Sequence, residues 1–282
     1  YIDNKILMVT SDRVSAFDCV LGTIPFKGQI LSDIAKFWFD KTSDIVPNHF
    51  IKSVDPQVLL VQEAKPLPVE VIVRRYITGS LWRDYQASKH HVYDLPFKDD
   101  LKMNEKFDMP ILTPSTKEDY GKHDEPISKK EILNRKLVSK EIYEQAEEYA
   151  LKLFQRGEEW ADKQGLILVD TKYEFGLVGD QLIVIDEIHT PDSSRYWIKN
   201  EYEERFNKGA SQLMLDKENI RQWLISKGFS GEGTPPELDD EIRILLSEKY
   251  IELYKILTNK EFEPSVGDVS VRIAKNLDSL DI

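Results

Sequence analysis

The stretch from 165 to 197, GLILVDTKYEFGLVGDQLIVIDEIHTPDSSRYW, constrains the fold more than any other part of the chain. Val, Ile, Leu, Tyr and Phe crowd both sides of a polar break at Gly179-Asp180, the pattern of two strands joined by a tight turn. Charges interrupt both strands: Asp170, Lys172 and Glu174 in the first, Asp186 and Glu187 in the second. Register decides whether they form one site. A two-residue turn pairs Val178 with Gln181, sets Glu174 opposite Ile185 and turns Asp186 to the other face. A three-residue turn pairs Val178 with Leu182 and sets Glu174 opposite Asp186. The two-residue period puts Asp170 and Lys172 on the face of Glu174. Carboxylates that face each other repel unless a cation lies between them, and oxygen ligands of this kind suit Mg²⁺ with bound phosphate. The competing reading is a surface hairpin with solvated charges. Beyond the second strand, Pro191-Asp192-Ser193-Ser194-Arg195 is a polar turn whose arginine suits an anion.

Composition narrows the setting. With 282 residues, 41% of them hydrophobic and 31% charged, the chain can bury a sizeable core in one large domain or two close lobes. No run approaches transmembrane length and the N-terminus lacks a basic then apolar signal pattern, so no membrane partner is expected. A lone cysteine, Cys19, excludes an internal disulfide framework and fits a reducing, cytoplasmic setting. The net charge of -12 disfavours loose binding to nucleic acid, yet leaves room for a small phosphorylated ligand held by a few placed arginines.

Along the chain, Lys5 to Thr10 reads as a strand and Ser11 to Asp18, SDRVSAFD, as a polar turn. Tyr1 reads as the stump of an element that begins upstream. Gln29 to Thr42 has helical spacing, and Asn48 to Ser53 and Gln57 to Ala64 read as strands between prolines. In Lys65 to Ser80, two prolines stiffen an entry loop before a buried strand in which Glu70 and Arg74 share a face. Arg74, Arg75 and the Thr78-Gly79-Ser80 turn suit an anion, with Ser80 as a hydroxyl donor. Alternatively, Arg74 pairs with Glu70 and Ser80 caps the following helix.

Residues 86 to 127 read as mostly irregular, with a hydroxyl-rich loop at Thr113 to Lys117 and a charged one at Gly121 to Glu125. His90-His91 has no partners at a zinc spacing, and His123 reads equally as a solvated residue. Ser128 with Glu131 forms a possible capping box. Lys140 to Lys163 is an amphipathic helix ended by Gly165. Helices are also expected within Gln212 to Gly228 and from Ile242 to Leu257, the latter with Ile244 and Leu245 on its apolar face. Asn259 to Ile282 alternates weakly and suggests no function. No G-x-x-x-x-G-K-[ST], G-x-S-x-G or paired-cysteine motif occurs, so magnesium-dependent chemistry on phosphate is the best physical class.

The segments LPVEVIVRRYITGS (67–80) and LILVDTKYEFG (166–176) resemble the two signatures of the phosphoribosylaminoimidazole-succinocarboxamide synthase, or SAICAR synthetase, family. SDRVSAFD, TPSTK and TPDSSRYW resemble further motifs of that family, in order, over about residues 1 to 258. The stretch from DKENIRQWL through the Gly/Pro loop is similar to the longer, monomer-like forms. The resemblance implies an α+β fold, with a small antiparallel lobe (1–67) over a larger α+β lobe (68–282) and ATP between them.

It implies a cytoplasmic ligase of purine biosynthesis that condenses 5-amino-1-(5-phosphoribosyl)imidazole-4-carboxylate with L-aspartate at the expense of ATP. A carboxylate is a poor acyl electrophile, so conversion to an acyl phosphate is the expected first step. By the same resemblance Glu174 and Asp186 hold Mg²⁺ and Lys172 lies near the nucleotide. Arg74, Ser80 and Arg195 bind the ribonucleotide. Pro68 to Glu70 forms the adenine-side hinge, while Ser15, Asp18, Thr113 and Lys117 face the substrate. A monomer is expected rather than a homodimer. The family's Gly-Lys-rich phosphate loop, of the form G-K-x-R-D, falls before the position of Tyr1. The competing readings are a small-molecule kinase on the same Mg-ATP site and a nucleotide-binding protein without turnover.

Overall fold

A computed structural model describes residues 4–17, 19–117, 124–215 and 218–278. Asp18 and the stretch 118–123, which includes Gly121, Lys122 and His123, lie outside the described residues. Near the N-terminus, β1 (Lys5–Val9), β4 (Phe50–Asp55) and β5 (Val58–Gln62) form an antiparallel sheet in the order β1-β5-β4. Between them, β2 (Arg13–Ala16) and β3 (Cys19–Thr23) pair as a hairpin, where the polar sequence suggests only a turn. That hairpin sets Val14, Ala16 and Ile24 against Leu224 of α6 (Glu218–Ser226) and Ile242 and Leu246 of α7 (Asp240–Thr258). Burial on one face makes a strand of residues whose side chains look turn-like.

The larger sheet runs β10-β9-β6-β7, with β11 also on β9 and β8 also on β6. Its members are β6 (Lys65–Tyr76), β7 (Lys106–Leu112), β8 (Ser115–Thr116), β9 (Leu166–Val178), β10 (Gln181–Ile185) and β11 (Ser194–Ile198). Two prolines lie inside β6 rather than in an entry loop, and the pairing with β9 shifts between Pro66 and Glu70. A bulge there accommodates residues that cannot donate to a ladder. Strands β7 and β8 occupy a region whose sequence reads as irregular; with charges and Pro110 they have edge-strand chemistry.

The β9–β10 turn is the two-residue one: Val178 pairs with Gln181 and Glu174 with Ile185, so the three-residue register is not used. Across the other edge of β9, Glu70, Ile72 and Arg74 lie opposite Glu174, Lys172 and Asp170. The alternate residues Val69, Val71, Val73, Tyr173 and Phe175 enter the core. There they meet α4 (Lys140–Lys163), whose Ala146, Ala150, Leu153, Phe154 and Ala161 are buried. Ser139 accepts a hydrogen bond from the Ile142 amide and so fixes where α4 begins. On α3 (Lys129–Asn134), Ser128 accepts from the Glu131 amide, but the Glu131 side chain turns to Arg135 and leaves the reciprocal half of a capping box unmade.

Helix α1 (Lys27–Thr42) inserts Ile30, Ile34, Trp38 and Phe39 into the same core, each such side chain stabilising the fold by ~1.5–3 kcal/mol. It packs along α7, whose buried face carries Leu246, Tyr250, Leu253 and Leu257. Ile244 and Leu245, expected on that face, are 54% and 48% exposed. The segment 259–282, without assignment from its sequence, contains α8 (Val269–Asp278), which packs on β4. Among the described residues no helix is long and apolar enough to cross a membrane. Two shorter helices, α2 (Gly79–Gln86) and α5 (Tyr202–Asn207), complete the α-helices of the described residues.

Candidate active site

The period of β6 and β9 delivers a row of charged side chains to one face of the large sheet, and two clusters form along it. The first is built on arginine. Arg74 donates through Nε to Thr113 Oγ1 (2.7 Å), through Nη1 to Asp170 Oδ2 (3.0 Å) and through Nη2 to Ser80 Oγ (3.2 Å). Arg195 on β11 donates to the same Asp170 oxygen. One carboxylate thus orients two guanidinium groups, both of them largely buried. The alternative of an Arg74–Glu70 pair is not realised, and Ser80 receives the arginine instead of capping α2.

Gly79 makes this approach possible. Its φ of +57° lies in the left-handed region, and a Cβ there would stand 2.3 Å from Arg195 Nη2. Arg74, Ser80, Asp170, Lys172, Arg195 and Arg221 line a cavity of about 280 Å³ over this cluster.

The second cluster lies further along the same two strands. Lys172 Nζ donates to Glu70 Oε1 (2.7 Å) and Glu174 Oε1 (2.9 Å), Lys117 donates to the other Glu174 oxygen, and Ser115 Oγ donates to Glu70 Oε2 (3.2 Å). The carboxylates that face each other across a ladder are therefore Glu70 and Glu174, and two ammonium groups supply the positive charge between them. Burial opposes the charge on Lys172, but the attraction and hydrogen bond of Glu70, with Asp186 and Glu187 beyond, raise its pKa. Burial and then repulsion from Lys172 lower that of Lys117. Lys117 thus belongs with the carboxylates, and its amide also donates to the Pro68 carbonyl.

Asp186 reaches this cluster by a route that strand alternation does not anticipate. In the observed register a continued strand would turn it away, but β10 ends at Ile185 and Asp186 takes a left-handed conformation (φ 65°). From there its charge acts on both Lys172 and Lys117, favouring their protonated forms. Asp186 and Glu187 then line a cavity of about 580 Å³ between the β1–β2 segment, α1 and the 186–192 loop. Burial, with Asp192 and Asp186 nearby, pushes the Glu187 carboxyl up to about 7. Ser15 lines the same cavity.

The sequence offers little sign of three further participants. Lys27, 3% exposed, donates to Asp192 Oδ2 (2.6 Å), and Tyr250 donates to Asp192 Oδ1 (2.8 Å). A lysine in the first turn of a helix opposes the macrodipole, the one signal that Lys27 has a tertiary partner. Tyr250 is indistinguishable from a core aromatic on an amphipathic helix.

Mg²⁺ characteristically takes one or two protein carboxylates and completes its shell with phosphate oxygens and water. The carboxylates of Glu174 and Asp186 suit that pattern. Among the described residues no group of three or more His, Cys, Asp and Glu converges as an all-protein metal cage would require.

Comparison with known proteins gives one consistent result. Residues 1–236 match the family model for SAICAR synthetase. The chain is 48% identical over 280 residues to the phosphoribosylaminoimidazole-succinocarboxamide synthase of Azobacteroides pseudotrichonymphae, covering 98% of this chain and 86% of that protein. It is 46% identical to the enzyme of the same name from Bacteroides thetaiotaomicron, covering 97% of this chain and 88% of the relative. Among solved structures it is similar to the SAICAR synthase of Saccharomyces cerevisiae complexed with SAICAR, with a TM-score of 0.80 at 33% identity over 92% of this chain and 91% of that one. SAICAR synthetase from Pyrococcus horikoshii superposes with a TM-score of 0.70 at 25% identity, covering 93% and 97% of the two chains.

Proposed function

The chain belongs to the SAICAR synthetase family, and on that premise we propose how its two charged clusters divide the work of an ATP-dependent ligase of purine biosynthesis. The enzyme joins the carboxylate of 5-amino-1-(5-phosphoribosyl)imidazole-4-carboxylate to the amino group of L-aspartate, giving SAICAR, ADP and phosphate. The observation that carries the division is that Asp170, which orients two arginines, and Glu174, which faces Glu70, lie on one face of β9. They are ~13 Å apart along the strand. A phosphoribosyl group on the arginines thereby lies within reach of a triphosphate near Glu174.

In this reading Arg74, Ser80 and Arg195 hold the ribonucleotide, with Thr113 keeping Arg74 in place. Glu174 and Asp186 hold Mg²⁺, which when bound supplies positive charge against the triphosphate. Lys172 and Lys117 leave the carboxylates they now contact to meet phosphate oxygens, and Pro68 to Glu70 forms the adenine-side hinge. The β1-β5-β4 sheet, within the small lobe assigned to 1–67, covers the nucleotide. Ser15 faces the substrate side of that cleft.

The substrate carboxylate oxygen attacks the γ-phosphorus, the bond to the bridging oxygen breaks and ADP leaves. The aspartate amine then attacks the acyl carbon, phosphate departs with the C–O bond and the amine proton is lost. Placed cations lower the barrier because three anionic reactants otherwise repel one another.

The test is turnover by the purified chain. Phosphate release should require both the imidazole carboxylate nucleotide and L-aspartate, and SAICAR should accumulate in step with ADP. A stable phosphoester formed without aspartate would establish a kinase instead, and ATP binding without any product would establish a non-catalytic nucleotide-binding protein.

A further inference from the structure

The C-terminal segment, to which the sequence assigns no role, makes a bidentate polar contact with the N-terminal sheet. Arg272 on α8 donates through Nε to Asp55 Oδ2 (2.9 Å) and through Nη2 to Asp55 Oδ1 (3.1 Å), at a carboxylate with no side-chain exposure. Asn276 donates to the same carboxylate at 2.7 Å. The guanidinium also donates to Gln57 Oε1 (2.7 Å) and to the Ser265 carbonyl (2.9 Å), so its fork is committed on both sides.

Gln57 carries the connection onward. Its Nε2 donates to the Thr10 carbonyl (3.1 Å) and to Asp12 Oδ1 (3.0 Å), and Asp12 Oδ1 in turn accepts from the Gly28 amide (2.8 Å). Packing at that junction is tight: a Cβ on Gly28 would stand 2.3 Å from Gln57 Nε2 and from the Thr10 carbonyl oxygen. The residue before Gly28 is Lys27, paired with Asp192 at 2.6 Å. Thr10, Ser11, Arg13, Lys27 and Asp192 all line the 580 Å³ cavity. A second contact ties the same tail to α1, because Gln29 donates to the Glu263 carbonyl (2.9 Å) and accepts from the Ser265 amide (3.0 Å).

We propose that Arg272 is a positioning residue for the nucleotide side of the cleft. Through Asp55 and Gln57 it holds the wall made by residues 10–13 and the start of α1, and it acts on ATP without touching it. The inference rests on reading that cavity as the Mg-ATP side of the ligase site. A planar fork on three acceptors fixes both the position and the rotation of the β4–β5 turn, which a single ammonium group does not.

The test compares steady-state kinetics of the full chain with Arg272→Ala, Arg272→Lys and Gln57→Met. Gln57 is 3% exposed, and methionine fills its volume without its amide, so Gln57→Met cuts the relay while leaving the Arg272–Asp55 pair intact. Arg272→Ala and Gln57→Met should each raise KM for Mg-ATP about tenfold, with KM for the imidazole carboxylate nucleotide within about twofold of wild type. Arg272→Lys should fall between. Parallel rises in both KM values, or a lower melting temperature with KM for Mg-ATP unchanged, would reduce Arg272 to a fastener of α8 and overturn the proposal. Should Arg272→Ala not fold, Gln57→Met alone decides by the same criterion. Wild-type protein that fails to turn over ATP would instead refute the functional reading, so the two failures are distinguishable.

Discussion

At the scale of single residues, the site is organised by shared partners. Asp170 orients Arg74 and Arg195 together, so neither arginine is an independent anion contact. Arg195→Ala should therefore raise KM for the ribonucleotide by on the order of 30-fold, equivalent to about 2 kcal/mol for a charge-assisted contact. On the proposed assignment KM for ATP should change far less, since the cluster at Glu174 draws its cations from Lys172 and Lys117. Equal loss for both ligands would show that the change damages the fold instead. Asp186 makes a complementary point: its side-chain chemistry is evident from sequence, but its placement depends on one left-handed backbone conformation beyond the end of β10.

At the scale of elements, α4 shows how closely the core supports the site. Gly157 lies where a Cβ would meet His189 Cε1 at 2.6 Å and Leu168 Cδ2 at 2.7 Å, and His189 lies within the loop that leads to β11 and Arg195. Gly157→Ala gains up to about 1 kcal/mol of helix propensity but overpacks the interior by ~1–3 kcal/mol. The net expectation is a loss of about 1 kcal/mol in urea unfolding, and a stabilised variant would refute the packing account.

Helices and strands with a strong apolar period, such as α1, α4, β9 and β10, were legible because burial imposes that period on sequence. The edge strand β7, the polar hairpin β2–β3 and the helix α8 were not, because half-exposed elements leave composition unconstrained, and β8, buried but polar, is too short at two residues to show a period. Of the site, the charges on β6 and β9 could be read from alternation alone. Their pairing could not: the Glu70–Glu174 apposition is a register between segments about a hundred residues apart, and Lys27 reaches Asp192 only through the tertiary fold.

At the scale of the whole molecule, titration of buried groups links stability to pH. Burial keeps His49 neutral with a pKa of about 4, and His189 with one of about 3. Both lie below the value near 6.5 of an unfolded chain, so between about pH 6.5 and 4 the unfolded state binds more protons than the folded one. Their contribution to stability is complete above that window and is lost as pH falls through it. Burial of Asp33, raised to about 6, and of Glu187, raised to about 7, acts in the opposite sense, adding stability on acidification. The difference between variants is therefore the clean measurement. His49→Gln should reduce the pH dependence of unfolding free energy by close to one proton, ~1.4 kcal/mol per pH unit, in that window. An unchanged slope would mean that His49 takes up its proton in the native state.

Strands β10 and β11 occupy successive stretches of the same edge of β9, so the chain leaves that edge after Ile185 and rejoins it at Ser194. Asp186 departs with the excursion and Arg195 arrives just past its return. On the proposed assignment of Asp186 and Arg195 to different reactants, tightening of this short span around one must be felt by the other, and the two half-sites share a single mechanical tether. Selection could not adjust the grip on either substrate by lengthening that span without slackening the hold on both.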